Sequence, residues 1–129
     1  MNKQKYYDPF AAVKRSKTSV PEKNLFSEQV TTTSFLIRRD NNEKIVINKS
    51  PFVIGTKSEV CDYVITGNKY IGRNHAQIVI KDNEYIFIDN NSTNKSYINR
   101  AQVLPTQNQV LKNGDEIKLA NLLFTIVIE

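Results

Sequence analysis

Cysteine and histidine are nearly absent from this sequence, which holds one of each among its 129 residues. A single cysteine, Cys61, excludes an internal disulfide and a cysteine-rich zinc site, and a single histidine, His75, excludes a multi-histidine metal site. No metal and no other cofactor is therefore expected. Cys61 has no second cysteine with which to form a C-x-x-C motif, so we expect it to be a small buried hydrophobe.

Long hydrophobic runs are also missing. No apolar stretch approaches the ~18 residues that a membrane-spanning helix requires, and the first thirty residues contain no apolar core of the kind that a secretory signal needs. These absences argue against a membrane protein and against export. We therefore expect a cytoplasmic protein without a membrane partner.

Positive charge is dispersed along the chain. Residues 1–30 hold six Lys or Arg and three Asp or Glu, a net charge of +3, while residues 31–129 hold twelve and ten, a net charge of +2, which together give +5. A nucleic-acid-binding protein usually gathers basic residues on one face or helix. We expect no nucleic-acid partner for the domain, and salt-sensitive binding of the basic tail to nucleic acid or a membrane is left as an alternative.

Motifs for catalysis are incomplete. Residues 67–74, GNKYIGRN, imitate the phosphate-binding loop G-x-x-x-x-G-K-[ST], but Arg73 and Asn74 replace the lysine and the hydroxyl residue, and a strand pattern rather than a helix pattern follows. No nucleophile elbow accompanies His75, so a serine–histidine–aspartate arrangement is not indicated either. We therefore expect no catalytic residues and no enzymatic activity.

Two regions of different texture divide the chain. Residues 1–30 mix Lys, Ser, Thr, Pro and scattered aromatics without a sustained period, which is typical of a disordered basic tail. Residues 31–129 consist of β-branched runs of about five residues separated by Asn, Asp and Gly, without a sustained helical pattern. Such spacing predicts one all-β domain, an antiparallel β-sandwich. The predicted strands include SFLIRR, EKIVIN, PFVIGT, DYVIT, HAQIVIK, EYIFID, SYINR, DEIKLA and LFTIVIE.

Three segments between the predicted strands are rich in small, polar and basic residues. They are residues 54–62 (IGTKSEVCD), 67–75 (GNKYIGRNH) and 89–99 (DNNSTNKSYIN). Glycine lets a backbone approach an anion closely, Arg and Lys attract the anion, and the hydroxyl and amide groups of Ser, Thr and Asn orient it. Each segment alone is also consistent with a tight turn, so anion binding depends on all three meeting at one rim of the sandwich.

Taken in order, these segments resemble the forkhead-associated (FHA) domain, a reader of phosphothreonine peptides. The family pattern runs I-G-R, C/S-D-I, S-R-x-H-A, D-x-x-S-x-N-G-T-x-V-N and L-x-x-G-D-x-I. Its counterparts here are Ile54-Gly55-Thr56, Cys61-Asp62-Tyr63, Gly72-Arg73-Asn74-His75-Ala76, Asp89 with Ser92-Thr93-Asn94-Lys95-Ser96-Tyr97-Ile98-Asn99, and Leu111 with Gly114-Asp115-Glu116-Ile117. The resemblance covers residues 33–129 and implies an FHA/SMAD-like sandwich of two sheets and about eleven strands, with the three loops at one end.

The resemblance implies a phosphate site that diverges from the family. Its two main phosphate contacts, an arginine and a serine, are replaced here by Thr56 and Gly72. A charge-assisted hydrogen bond contributes ~1.5–3 kcal/mol, so loss of the arginine weakens binding by roughly ten- to hundredfold unless another group replaces it. Arg73 is retained, and Lys57 offers a point charge one residue after the missing arginine.

The other matched positions imply contacts to the peptide and supporting roles in the loops. Asn94 matches the family's asparagine that hydrogen-bonds the backbone of the ligand, and Thr93 precedes it as in many members. Lys95 stands where the family has glycine, which requires an unusual backbone conformation from a non-glycine residue. The positions expected to support the loops are Gly55, His75 and Ser92.

Two functions follow from the resemblance. The first is a non-catalytic module that binds phosphothreonine-containing peptides through Thr56, Lys57, Gly72, Arg73, Thr93 and Asn94. The alternative, motivated by the two divergent positions, is a degenerate FHA domain that acts as a phosphate-independent scaffold between proteins. Thr18 in the tail lies some fifteen residues before the first strand, a reach of up to ~50 Å, so the phosphorylated tail is a further candidate partner.

Overall fold

The short β-branched runs of the sequence form eleven strands in the structure, a computed structural model that describes residues 34–129. The expected disordered tail, residues 1–30, lies outside the described residues. Residues 34–129 contain no helix that is long and apolar enough to cross a membrane. The strands are β1 (Ser34–Arg38), β2 (Lys44–Val46), β3 (Phe52–Gly55), β4 (Tyr63–Val64), β5 (Ala76–Lys81), β6 (Glu84–Asp89), β7 (Ser96–Ile98), β8 (Ala101–Val103), β9 (Gln109–Leu111), β10 (Glu116–Leu119) and β11 (Leu122–Ile128).

The strands form two sheets that pack face to face. A six-stranded sheet has the order β2-β1-β11-β10-β7-β8, and a five-stranded sheet has the order β4-β3-β5-β6-β9. The first and last strands pair antiparallel over their length, from Ser34 opposite Ile128 to Arg38 opposite Phe124. The predicted all-β sandwich of two sheets is confirmed, as is the strand number implied by the resemblance.

Alternate residues of the strands point into the core between the sheets. In β11, Leu122, Phe124 and Ile126 are buried while the residues between them are half-buried, and in β6 Tyr85 and Phe87 are buried. Fully burying one such side chain contributes about 1.5–3 kcal/mol. The core also fixes strand register, because a slip of one residue would turn a strand's apolar set toward solvent.

One strand pair departs from the predicted antiparallel arrangement. β3 and β4 are parallel, with Ile54 opposite Tyr63. The connecting residues 56–62 turn back on themselves through a hydrogen bond of 3.1 Å from the Cys61 N–H to the Lys57 carbonyl. Only two residues of each strand are paired, and the short β3–β4 loop takes the place of the long crossover that parallel strands usually need.

Candidate functional site

Three loops lie at the same end of the five-stranded sheet. β3 and β6 run toward this end and β5 runs away from it, because β5 is antiparallel to both. The loops are the β3–β4 loop (residues 56–62), the β4–β5 loop (residues 65–75) and the β6–β7 loop (residues 90–95). They lie within or overlap the three polar segments of the sequence.

Hydrogen bonds join the β3–β4 loop to the β4–β5 loop. The N–H groups of Thr56 and Lys57 donate to the carbonyls of Gly72 and Arg73, at 3.1 Å in each case. The thiol of Cys61 also donates to the Arg73 carbonyl, at 3.0 Å. Four of the six predicted binding residues are therefore held side by side.

Cys61 is not the buried hydrophobe expected from the sequence, and that expectation is wrong. Its side chain is half-buried, and its sulfur contacts a loop carbonyl instead of the apolar core. Partial burial raises the pKa of the thiol, against the opposing effect of the backbone at Lys57. The thiol therefore acts as a hydrogen-bond donor between two loops.

Gly55 permits the close contact of these loops. A Cβ atom at position 55 would lie 2.2 Å from the carbonyl oxygen of Arg73, far inside van der Waals contact. Gly72 is different, because the nearest neighbour of a Cβ atom there would be Nδ1 of His75 at 3.5 Å. Position 72 therefore has room for a side chain, whereas position 55 has none.

His75 connects the β4–β5 loop to the β6–β7 loop. Its side chain is fully buried, its Nδ1 accepts a hydrogen bond from the Gly72 N–H at 2.9 Å, and its Nε2 contacts the Lys95 carbonyl at 3.0 Å. Because Nδ1 accepts, Nε2 carries the proton and donates. Burial lowers the pKa of His75, against the opposing effects of the Lys95 carbonyl and the charge of Asp89. The imidazole is therefore a neutral bridge with both nitrogens engaged.

A buried carboxylate holds the start of the β6–β7 loop. Asp89 accepts hydrogen bonds from the Ser92 N–H at 3.0 Å and from the hydroxyls of Ser92 and Ser96. All three residues are buried. β6 belongs to the five-stranded sheet and β7 to the six-stranded sheet, so this cluster fixes the point where the chain crosses between them.

Asn94 joins the β6–β7 loop to the β4–β5 loop at a second point. Its Nδ2 donates to the Tyr70 carbonyl at 2.9 Å. The next residue, Lys95, has a φ of +72°, in the left-handed region that costs a non-glycine residue roughly 1–2 kcal/mol. The Lys95 carbonyl accepts hydrogen bonds from His75 and from the Ala120 N–H, so this strained residue joins three parts of the chain.

The predicted binding residues differ in exposure. Thr56 and Gly72 are half-buried, whereas the exposed ones are Lys57, Arg73, Thr93 and Asn94. Within residues 34–129 neither Lys57 nor Arg73 forms an ion pair. Two cations thus project from neighbouring loops, and Asn94 contacts the β4–β5 loop two residues before Gly72.

An open groove lies beside this group. It has a volume of about 880 Å³, and the described residues that line it are Thr56, residues 65–71 and Asn121. A smaller hollow of about 460 Å³ is lined by Tyr70, Asn94, Ala120 and Asn121. Tyr70, which is 48% exposed, and Asn121 border both depressions.

Sequence reasoning did not single out Tyr70, Asn68 or Asn121. Asn121 lies in the turn between β10 and β11, and its Oδ1 accepts a hydrogen bond from Asn68 Nδ2 at 2.9 Å. The ammonium of Lys69 is 5.4 Å from the centroid of the Tyr70 ring, within the range of a cation–π contact. No periodic pattern marks these turn residues, and only folding brings the β10–β11 turn to this end of the molecule.

Comparison with known proteins identifies the family of this arrangement. The FHA domain family model matches residues 52–120, just over half of the 129 residues. The E3 ubiquitin-protein ligase CHFR of Xenopus laevis is 32% identical over 79 residues, and that of Danio rerio is 33% identical over 75 residues. These alignments cover 60% and 57% of this chain but 12% of each ligase, so the chain spans a small part of these relatives.

Solved structures share the fold. Mycobacterium tuberculosis EmbR in complex with a low-affinity phosphopeptide has a TM-score of 0.70 and 22% identity, over 75% of this chain and 24% of EmbR. The N-terminal FHA domain of S. cerevisiae Rad53p in complex with a phosphothreonine peptide has a TM-score of 0.64 and 22% identity, over 75% of this chain and 94% of that one. The FHA domain of the CT664 protein of Chlamydia trachomatis has a TM-score of 0.67 and 21% identity, over 74% of this chain and 96% of that domain.

Proposed function

Because the chain belongs to the FHA domain family, we propose that it is a non-catalytic interaction module that binds phosphothreonine-containing peptides through its three loops. The observation that carries the proposal is the hydrogen-bonded contact of the β3–β4 and β4–β5 loops, in which the backbones of the exposed residues Lys57 and Arg73 are adjacent. Rad53p and EmbR hold phosphopeptides in their solved structures, and their likeness in fold supports the same use of the loops here.

The phosphate of the ligand lies between the two cations in this proposal. The planar guanidinium of Arg73 offers a bidentate fork, and the ammonium of Lys57 adds a point charge. The hydroxyls of Thr56 and Thr93 are further donors, whereas Gly72 supplies none. We expect weaker binding than in a domain that has arginine and serine at positions 56 and 72.

The peptide backbone extends from the phosphate across Asn94 toward Tyr70. The Nδ2 of Asn94 is engaged with the Tyr70 carbonyl, which leaves its Oδ1 as an acceptor for a backbone N–H of the ligand. The exposed Tyr70 ring supplies apolar contact area, and the groove of about 880 Å³ beside it is open to solvent.

We propose no enzymatic activity for the described domain. Both nitrogens of His75, the only histidine of the chain, are hydrogen-bonded within the protein, so the imidazole is not available as a general base. Ligase activity belongs to the CHFR relatives, of which the chain matches 12%. A cytoplasmic location is part of the proposal, and localisation of the tagged chain in its host cell would test it.

A phosphothreonine peptide library and its unphosphorylated counterpart, titrated against the chain, test the phosphate dependence. We expect only the phosphorylated library to bind, and Arg73→Ala to weaken binding by roughly tenfold or more. Arg100→Ala is the matched control, because Arg100 is an exposed arginine outside the three loops. Equal binding of the two libraries, or none, would remove the proposal.

A phosphate-independent scaffold is the second candidate function, favoured by Thr56 and Gly72. The double variant Thr56→Arg with Gly72→Ser separates the two candidates. Position 72 has room for the serine, since the nearest neighbour of its Cβ would be 3.5 Å away. If the native chain is a scaffold, only the double variant acquires affinity for phosphothreonine peptides, whereas a native reader binds them already and the variant binds more tightly.

The N-terminal tail is a further proposed ligand. Thr18 lies outside the described residues. The roughly fifteen residues between it and the first strand span up to ~50 Å when extended. We propose that phosphorylated Thr18 occupies the three loops and competes with other peptides. Phosphorylation of Thr18 should then shift the amide resonances of Arg73 and Asn94, and unchanged resonances would end this proposal.

A further inference from the structure

The centre of the outer face of the five-stranded sheet is largely aliphatic, where a solvated face is usually polar. β5 contains Ile78, Val79 and Ile80 in succession, and β6 contains the run YIFI at residues 85–88. A strand with one solvated face alternates polar and apolar residues, whereas an uninterrupted apolar run is typical of a strand covered on both faces. Within this domain the core covers only the inner face.

Cross-strand register arranges the outward residues in two uncharged rows. One row is Val79, Ile86 and Val110, and the other is Val53, Gln77 and Ile88. Val110 is 37% exposed and the others are half-buried. The rows cross four neighbouring strands, so their side chains form one contiguous patch, which is a candidate interaction surface.

The outer face of the six-stranded sheet differs, because lysines cover its aromatic rings. The ammonium of Lys44 is 4.3 Å from the ring centroid of Phe35, and that of Lys118 is 5.4 Å from the ring centroid of Tyr97. Charged groups are thus interleaved with the apolar residues of that face. The two rows of the five-stranded sheet contain neither a charged residue nor an aromatic ring.

A pair of opposite charges borders the aliphatic rows. Lys81 on β5 is directly opposite Glu84 on β6, and both are exposed at the end of the sheet away from the three loops. A two-fold axis parallel to the strands, passing between β5 and β6, sets Lys81 of one copy against Glu84 of the other. The same axis sets Val79 of one copy against Ile86 of the other. Apolar residues then face apolar residues and opposite charges face each other, so the surface is complementary to itself.

We propose that this face binds a second copy of the chain, forming a symmetric dimer about that axis. An uncharged centre lets identical faces meet without repulsion, and the Lys81–Glu84 pairs select the arrangement in which the strands of the two copies run in the same direction. Both sets of three loops then lie at the same end of the dimer. The proposal does not depend on phosphate binding.

The patch is small compared with the interface of a stable dimer. Strands lie about 4.8 Å apart and rise about 3.3 Å per residue, so two rows over four strands cover a few hundred Å² at most. A standard stable interface buries roughly 800 Å² per partner. We therefore expect a weak dimer that forms with increasing concentration.

Sedimentation equilibrium of the full 129-residue chain, from micromolar to millimolar concentration, tests the dimer. The native chain should approach twice its monomer mass at the highest concentrations, and Ile86→Lys should remain monomeric throughout. Val127→Lys is the matched control, because Val127 is also a half-buried, outward residue of an inner strand but belongs to the six-stranded sheet. A native chain that stays monomeric overturns the proposal, as does equal loss of the dimer in both variants.

A charge exchange at exposed positions tests the symmetry without risk to folding. Lys81→Glu should weaken the dimer by roughly tenfold, because two carboxylates then face each other across the axis. The double variant Lys81→Glu with Glu84→Lys should restore native association. Failure of the double variant to recover, or no effect of Lys81→Glu, overturns the proposed axis.

Discussion

His75 shows how one buried side chain can hold two of the candidate loops together. Its two nitrogens join the β4–β5 loop to the carbonyl of Lys95 in the β6–β7 loop. Protonation of Nδ1 would remove the acceptor for the Gly72 N–H and replace it with a second donor. The bridge therefore requires the neutral imidazole.

Stability should fall on mild acidification because of this residue. The folded state holds the pKa of His75 below its ordinary value of 6.5, so the unfolded chain binds the proton first. The free energy of unfolding should be fully retained above about pH 6.5 and fall below it, by at most about 1.4 kcal/mol per pH unit, until the folded-state pKa is reached. Chemical denaturation at several pH values and NMR titration of the imidazole measure this. A folded-state pKa at or above 6.5 would contradict it.

The two loop glycines should respond differently to the same small substitution. Gly55→Ala places a Cβ atom 2.2 Å from a backbone oxygen and should lower the free energy of unfolding by about 3 kcal/mol, at the upper end for overpacking. Gly72→Ala, whose new atom would have 3.5 Å of clearance, should change it by less than about 0.5 kcal/mol. Urea denaturation of both variants is the measurement, and equal losses would show that close contact is not what position 55 requires.

At the scale of elements, the crossing from β6 to β7 depends on one carboxylate shared by two hydroxyls. The hydroxyls of Ser92 and Ser96 both donate to Oδ1 of Asp89. Removing one leaves the other in place, whereas removing both leaves a buried oxygen without a hydroxyl donor. The two contacts are therefore expected to be coupled.

A double-mutant cycle on Ser92→Ala and Ser96→Ala measures that coupling. Each single variant should lose about 1–2 kcal/mol of stability, and the double variant should lose more than their sum by at least about 0.5 kcal/mol. Equilibrium denaturation of the four proteins gives the coupling free energy. Strict additivity would mean that water replaces the hydroxyls at Asp89.

Strand pairing is the other feature decided at the element scale. β4 has two residues and β8 has the sequence AQV, so neither carries an apolar run long enough to predict a partner or a direction. β4 takes its parallel place because the β3–β4 loop turns back and the Asp62 N–H donates to the Val53 carbonyl at 2.8 Å. The position and direction of this short strand are thus set by the hydrogen bonds of the loop that precedes it.

For the whole molecule, the six-stranded sheet depends on pairing between the first and the last strand of the domain. β11 lies between β1 and β10, and β1 pairs with it from Ser34 to Arg38. The family match, residues 52–120, omits β1, β2 and β11. This segment alone therefore lacks half of the strands of one sheet and the residues Leu122, Phe124 and Ile126 of the core.

We expect the fragment 52–120 to be unfolded, whereas the full chain folds cooperatively. Loss of three buried side chains at about 1.5–3 kcal/mol each, together with β1, exceeds the lower part of the usual 5–15 kcal/mol stability of a domain. Far-UV circular dichroism and amide dispersion in NMR spectra compare the two chains. A folded fragment would show that the five-stranded sheet is stable with a partial second sheet.

The sequence by itself determined most of the strands, although not the short β8, and the order of the loops, because apolar alternation and turn residues are local properties of the chain. It also indicated the six candidate binding residues through five short motifs in the order of a known family. The contacts among the loops depended on tertiary structure, since Asn68 and Asn121 or His75 and Lys95 meet only after two sheets have packed. The aliphatic outer face was likewise decided by register, because strand pairing sets Val79, Ile86 and Val110 in one row.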